Sequence, residues 1–180
     1  SEGKAMPGVV LKLVKLDGTV AGVGEEGEVR ATAPQLMQGY LDESLHADAF
    51  DDEGYFRTGD LGGLDAEGNL KITGRLKDII IRHGENISAK EVEDLLYTHP
   101  KVADVAVIGL PDPKTGERAV AVVSTKPDAE PLGFAEMQAF LKDAGLRMQA
   151  IPEQLEIVAA VPRNPAGKIL KHELRAQYAD

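Results

Sequence analysis

Residues 74–96, GRLKDIIIRHGENISAKEVEDLL, constrain this chain more than any other stretch. They open on a Gly-Arg-Leu-Lys-Asp turn, pass through Ile79, Ile80 and Ile81 to Arg82, break at Gly84 and restart at Ser88 as a helix. Ser88 stands three residues ahead of Glu91, the spacing at which a hydroxyl caps an open backbone N–H at a helix start. Val92, Leu95 and Leu96 then recur at helical spacing, which predicts one buried face. Gly84 reads in two ways: as a tight strand-to-helix connection, or as backbone that lets something approach closely. Arg75, Lys77, Asp78, Arg82, His83 and Glu85 crowd this stretch with more charge than a structural turn requires.

Bulk properties exclude several classes. The net charge of −10 argues against a general nucleic-acid binder, because a phosphate backbone is held largely by Lys and Arg. A single nucleotide needs only a local cluster, for which Arg82, His83, Lys114, Arg118, Arg163, Lys168 and Lys171 are candidates. There are no cysteines, so disulfides and thiolate metal sites are out and a reducing, cytoplasmic setting is expected. No apolar run has the length of a membrane span, and no metal-ligand spacing is visible.

Taken in order, residues 9–14 and 28–32 read as short strands around the Asp17-Gly18 turn. Residues 40–50 read as partly helical. A strand over 55–58 ends at Gly59-Asp60, and turn chemistry over 64–69 leads into a strand over 70–73 that Gly74 closes. Further on, 102–108 is an apolar, buried strand, 109–116 a proline-broken loop and 119–124 a strand. Residues 134–143 carry the helical pattern, 155–161 make a third long strand, and 169–178 a terminal helix. The predicted class is α+β: a small antiparallel, barrel-like β part over 1–76, then a compact α+β part over 77–180 with a three-stranded sheet, a short hairpin and packed helices.

Two residues stand out on local chemistry. Asp60, at a strand end, presents two acceptor oxygens suited to a vicinal diol, although an Asp there also caps turns. Lys168 lies in the loop Asn164-Pro165-Ala166-Gly167-Lys168 just ahead of the last helix, where the macrodipole disfavours a cation, and that local cost favours a function.

Together with GYFRTGDL at 54–61 and PRNPAGKILKHELR at 162–175, the 74–96 stretch resembles the acyl-adenylate-forming superfamily, which includes acyl-CoA synthetases, peptide-synthetase adenylation domains and luciferases. The resemblance covers essentially the whole chain and corresponds to the last third of such enzymes. The family's earlier Ser/Thr/Gly-rich phosphate loop has no counterpart here. What it implies is a distal β subdomain of the AMP-binding domain over 1–76 and a mobile lid over 77–180. By resemblance, Asp60 accepts hydrogen bonds from the ribose hydroxyls of ATP, Arg75 reaches the same nucleotide and Ile72 packs against it. Lys77 is the hinge. Lys168 is the catalytic residue, brought to the α-phosphate and the substrate carboxylate during adenylation. His83, Gly84 and Glu85 line the passage by which CoA reaches the acyl-adenylate. Mg²⁺ is expected to ride on ATP, with its ligands outside this segment.

The implied function is that of the C-terminal segment of an ATP-dependent acyl-CoA ligase acting on a fatty or alicyclic carboxylic acid. Its partners are ATP, CoA, the acid and an N-terminal domain of the same enzyme, and the segment alone is expected to be inactive. An adenylation domain serving a carrier-protein thiol and a non-catalytic regulatory fragment are the alternatives.

Overall fold

Short alternating strands separated by glycine and aspartate turns build the first part of the molecule. The computed structural model describes residues 1–179, and the chain divides into two compact units, Ser1–Lys77 and Asp78–Asp180. The first holds one antiparallel sheet of β1 (Val10–Val14), β2 (Glu26–Thr32), β3 (Phe56–Leu64) and β4 (Leu70–Arg75), in that spatial order. A 3-10 turn over Glu43–Leu45 and α1 (His46–Ala49) lie between β2 and β3. Leu13 and its pairing partner Val29 are buried on one face of the sheet, and Val14 and Leu61, both opposite Glu28, on the other. The barrel-like part expected is an open sheet among the described residues: β1 and β4 are its edges, and on the far side of β4 Gly3 bridges Leu70 and the Glu2 carboxylate accepts the Ile72 amide at 2.8 Å. The predicted turn over 64–69 forms because the Asp65 carboxylate accepts the Glu67 and Asn69 amides at 3.0 and 2.7 Å.

β3 differs from expectation. It does not end at Asp60 but continues to Leu64, and β4 runs on through Gly74 to Arg75.

The second unit begins with β5 (Ile79–Arg82) and β6 (Glu85–Ser88), a hairpin that feeds α2 (Ala89–Leu96). Gly84 is thus a hairpin residue, not a strand-to-helix turn. As predicted, the Ser88 hydroxyl accepts the Glu91 amide, and Val92 and Leu96 are fully buried. β7 (Val102–Asp112) and β8 (Gly116–Thr125) follow, then α3 (Phe134–Asp143), β9 (Gln154–Ile157) and α4 (Lys171–Tyr178). One five-stranded sheet results, in the order β6-β5-β8-β7, with β9 parallel to β8 beside β5. The expected three-stranded sheet and short hairpin are therefore continuous, joined where Arg82 pairs with Gly116.

Alternation along β7 and β8 explains their unbroken apolar runs. Val105, Val107, Ala119, Ala121 and Val123 face α2 and α3, whereas Ala106, Ile108, Leu110, Val120 and Val122 face Val161 and Leu174 of α4. With both faces covered, every residue over 105–110 and 119–124 is buried, the larger aliphatics contributing about 1.5–3 kcal/mol each.

The segment expected as a loop over 109–116 is mostly strand. Pro111 is tolerated because β7 is an outer strand and needs no ladder bond on its far side. The loop shrinks to three residues, held by the Asp112 carboxylate, which accepts the amides of Lys114 and Thr115 at 2.9 Å. β9 is shorter than the long strand expected and stops at Ile157.

Candidate functional site

In the first unit, Asp60, Ile72 and Arg75 come to one face of the β3–β4 pair by way of two register slips. Between Glu28↔Leu61 and Arg30↔Arg57, Val29 opposes the three residues Thr58, Gly59 and Asp60. Thr58 closes this bulge: its hydroxyl donates to the Val29 carbonyl at 2.6 Å and accepts the Asp60 amide at 3.0 Å. Gly59, at φ +71°, supplies a left-handed turn that side chains avoid. On β4 the pairing passes from Leu61↔Gly74 to Gly62↔Ile72, leaving Thr73 without an opposite residue. Residues three apart on a regular strand point to opposite faces, so this extra residue is what puts Ile72 and Arg75 on the same side as Asp60.

Arg75 Nε lies 2.8 Å from Asp60 Oδ1, with both side chains partly exposed. The other carboxylate oxygen of Asp60 accepts no hydrogen bond among the described residues, so the pair presents an oriented acceptor beside a fixed cation.

In the second unit, His83 and Gly84 form the two-residue turn between β5 and β6, with φ of +51° and +78°. Positive φ at both positions is the turn whose twist matches a hairpin. The His83 amide donates to the Thr115 carbonyl at 2.8 Å. His83, Gly84 and Glu85 are all exposed, and a Cβ built on Gly84 would meet no atom within 4 Å. The glycine therefore answers to the turn, and its surroundings within the unit leave open space. Glu85 has one distant cation, Arg147 at 3.8 Å.

Of the cations considered for a phosphate cluster, several are committed elsewhere. Arg82 donates to the Gln149 carbonyl and the Glu153 carboxylate, each at 2.8 Å. Arg118 donates to the Gln154 side chain and the Pro111 carbonyl. Lys171 lies 2.8 Å from Glu93 and 3.7 Å from Asp78. Lys77 is exposed, in the 3-10 turn Leu76–Asp78 where the first unit ends.

Lys168 is exposed, and its ammonium makes no ion pair or hydrogen bond among the described residues. Its backbone is held on several sides. The Lys168 amide donates to Asn164 Oδ1 at 2.8 Å, and the Lys168 carbonyl accepts the Asn164 amide at 2.9 Å. The Gly167 amide donates to the Asn164 carbonyl, and Arg163 bridges Ile169, so the loop is a small closed hairpin.

Sequence reasoning did not single out what anchors this hairpin. Arg163 grips the Asp104 carboxylate through Nε and Nη2 at 2.9 and 2.7 Å, and its Nη1 donates to the Gly167 carbonyl at 2.5 Å. The Tyr97 hydroxyl donates to Asp104 at 2.5 Å. Partial burial works to raise the Asp104 carboxyl, but the donations from Arg163 and Tyr97 outweigh it and hold the group below the usual carboxylate range. The one available signal was Asp104 itself, a charge inside an otherwise apolar run.

No group of three or more His, Cys, Asp or Glu that could hold a metal occurs among the described residues, so no step involving Mg²⁺ is assigned to them. No helix among them is long and apolar enough to cross a membrane.

Residues 91–168 match the family described as the AMP-binding enzyme C-terminal domain. The chain is 41% identical, over 97% of its length, to the medium-chain fatty-acid–CoA ligase of Escherichia coli K12, and covers 31% of that protein. It is 38% identical over 95% of its length to the salicyl-AMP ligase / salicyl-S-ArCP synthetase of Mycobacterium tuberculosis, covering 30% of it. Among solved structures, ATP-bound MatB from Rhodopseudomonas palustris matches with a TM-score of 0.91 and 34% identity, over 99% of this chain and 35% of that one. The chain thus spans about a third of the length of the relatives it matches. Residues 91–168 thus belong to the AMP-binding enzyme C-terminal domain family, and along nearly its whole length the chain is similar to acyl-CoA ligases and other adenylate-forming enzymes.

Proposed function

We propose that this chain is the C-terminal segment of an ATP-dependent acyl-CoA ligase acting on a fatty or alicyclic acid in the cytoplasm, with residues up to 76 forming the distal part of the nucleotide-binding domain and 77 onward a lid that turns about Lys77. The observation that carries the reading is Lys168: an ammonium without a partner among the described residues, on a loop whose backbone is fixed by hydrogen bonds. In the first half-reaction a carboxylate oxygen of the acid attacks the α-phosphorus of ATP. The new acyl–phosphate bond forms as the bond to the β-phosphate breaks and pyrophosphate leaves. Charge builds on the phosphate oxygens, and a cation held ready for it lowers the barrier without having to reorganise. Asp60 and Arg75 orient the nucleotide, the former through its open oxygen to the ribose diol and the latter through its remaining donors, with Ile72 as the apolar floor.

In the second half-reaction the thiol sulfur attacks the acyl carbonyl, AMP leaves with the former carboxylate oxygen, and the thiol proton is lost to solvent. His83, Gly84 and Glu85 form the lip of the thiol's path, and the open space around Gly84 supports that assignment. A carrier-protein thiol is the second reading of the acceptor, favoured by the likeness to a salicyl-S-ArCP synthetase. The segment by itself is expected to turn over no substrate.

In the intact enzyme carrying this segment, Lys168→Ala lowers acid-dependent ATP–pyrophosphate exchange by about 10²–10³-fold and leaves transfer from pre-formed acyl-adenylate to CoA unchanged. An unaltered exchange rate would overturn the assignment, and transfer to a carrier protein but not to CoA would decide for the second acceptor.

A further inference from the structure

Residues 165–168 are exposed, so no apolar packing fixes where the Lys168 ammonium starts from. Within the loop Asn164 holds the Lys168 backbone, and the Arg163 bonds that tie the loop to β7 converge on one carboxylate, that of Asp104. We propose that Asp104, acting through Arg163, is a positioning residue for Lys168; the proposal rests on the role given to Lys168 above.

Exposed ion pairs are ordinarily worth little, about 0–1 kcal/mol, because water screens them and long side chains must be immobilised. Three features set this one apart. The contact is a two-pronged one, Nε and Nη2 of Arg163 to both oxygens of Asp104, which fixes orientation as well as distance. The prong left over, Nη1, reaches the carbonyl of Gly167, the residue immediately before Lys168. The carboxylate itself is pinned by the Tyr97 hydroxyl at the end of α2.

Asp104 also owes its direction to a local irregularity. Pairing passes from Val102↔Thr125 to Asp104↔Ser124, so Ala103 has no opposite residue. Val102 faces α2 and α3, and on a regular strand Asp104 would share that apolar face. The extra residue turns it to the side of Val120, Val122 and α4, where Arg163 waits. A bulge that re-aims a single carboxylate toward the loop bearing the reactive cation is a device for placement, and misplacing a catalytic group by about 1 Å can cost about 10²-fold in rate.

The test has two arms. In this chain, amide hydrogen exchange at Gly167 and Lys168 is expected to rise about tenfold or more in Asp104→Asn, with exchange in β7 and β8 unchanged; in the intact enzyme the same substitution is expected to lower kcat for adenylation about tenfold or more, with KM for ATP and the transfer half-reaction little changed. Tyr97→Phe, which removes one hydroxyl and no charge, is expected to act in the same direction with a smaller effect, and it carries the test should Asp104→Asn also loosen the β7–β8 core. Unchanged loop exchange, or looser loop exchange with adenylation at the wild-type rate while Lys168→Ala still lowers it by about 10²–10³-fold, overturns the proposal. Should Lys168→Ala itself leave adenylation intact, the reading of Lys168 falls and the positioning role falls with it, whatever the exchange shows.

Discussion

Arg75 and Asp60 face each other across β3 and β4, with Nε 2.8 Å from Oδ1, and among the described residues the second carboxylate oxygen of Asp60 accepts no hydrogen bond. Hydrogen bonds to a charged group contribute about 1.5–3 kcal/mol. Asp60→Asn is therefore expected to lower kcat/KM for ATP in the intact enzyme by roughly tenfold to a hundredfold. The chain's own stability should change by less than about 1 kcal/mol, since the pair is partly exposed. Steady-state kinetics with varied ATP, read beside a urea melt, checks both halves.

Gly84 answers to backbone geometry. Its φ of +78° costs a side-chain residue about 1–2 kcal/mol, and no neighbouring atom adds to that. Gly84→Ala should destabilise the second unit by about that amount, and Gly84→Asn by less, because Asn visits this region readily. His83→Gly, at φ +51°, should be neutral or better. Chemical denaturation of the three variants gives the order.

His99 makes stability depend on pH. Burial lowers its pKa below the ordinary 6.5, and Lys101 and Lys126 push the same way against Glu136 at 3.8 Å. The imidazole Nδ1 accepts the Lys101 amide, as the neutral ring can. A depressed folded value means that the unfolded chain takes up the proton first. The stabilisation is thus complete above about pH 6.5 and is lost as pH falls from there through the folded value. His99→Gln should flatten the melting temperature between about pH 5 and 7, a comparison two thermal scans provide.

Lys171 sits between two carboxylates, with its own side chain and those of Glu93 and Asp78 all less than a fifth exposed. Removing one member of such a group strands the others, at a cost of about 3–5 kcal/mol when burial is complete. Lys171→Met is expected to cost about 2–3 kcal/mol here, since Glu93 keeps the Val107 amide and Asp78 keeps Arg175. Adding Glu93→Gln should recover part of the loss. Urea titrations of the single and double variants measure it.

Periodicity and capping carry a good deal of this fold. The Ser88 cap, the buried run at 102–108 and the helix over 134–143 are legible because each is decided by neighbours in sequence. The extent of β3, the true nature of 109–116 and the brevity of β9 are not, because a strand's length depends on its partner. The same holds at the site. Asp60 and Lys168 stand out in the sequence as residue types in telling turns, but Ile72 and Arg75, three apart, reach one face only through an extra residue at Thr73. Asp104 is aimed by another at Ala103. Such slips belong to the pairing of two strands, and nothing in either strand alone announces them.

Asp78 opens the second unit, and α4 near its far end returns to it through Arg175 at 3.1 Å and Lys171. Head and tail of the unit are thereby stitched together. An exchange of this unit between related enzymes, spliced between Lys77 and Asp78, would carry the lysine loop, its carboxylate anchor and the His83–Gly84 turn across as a single cassette.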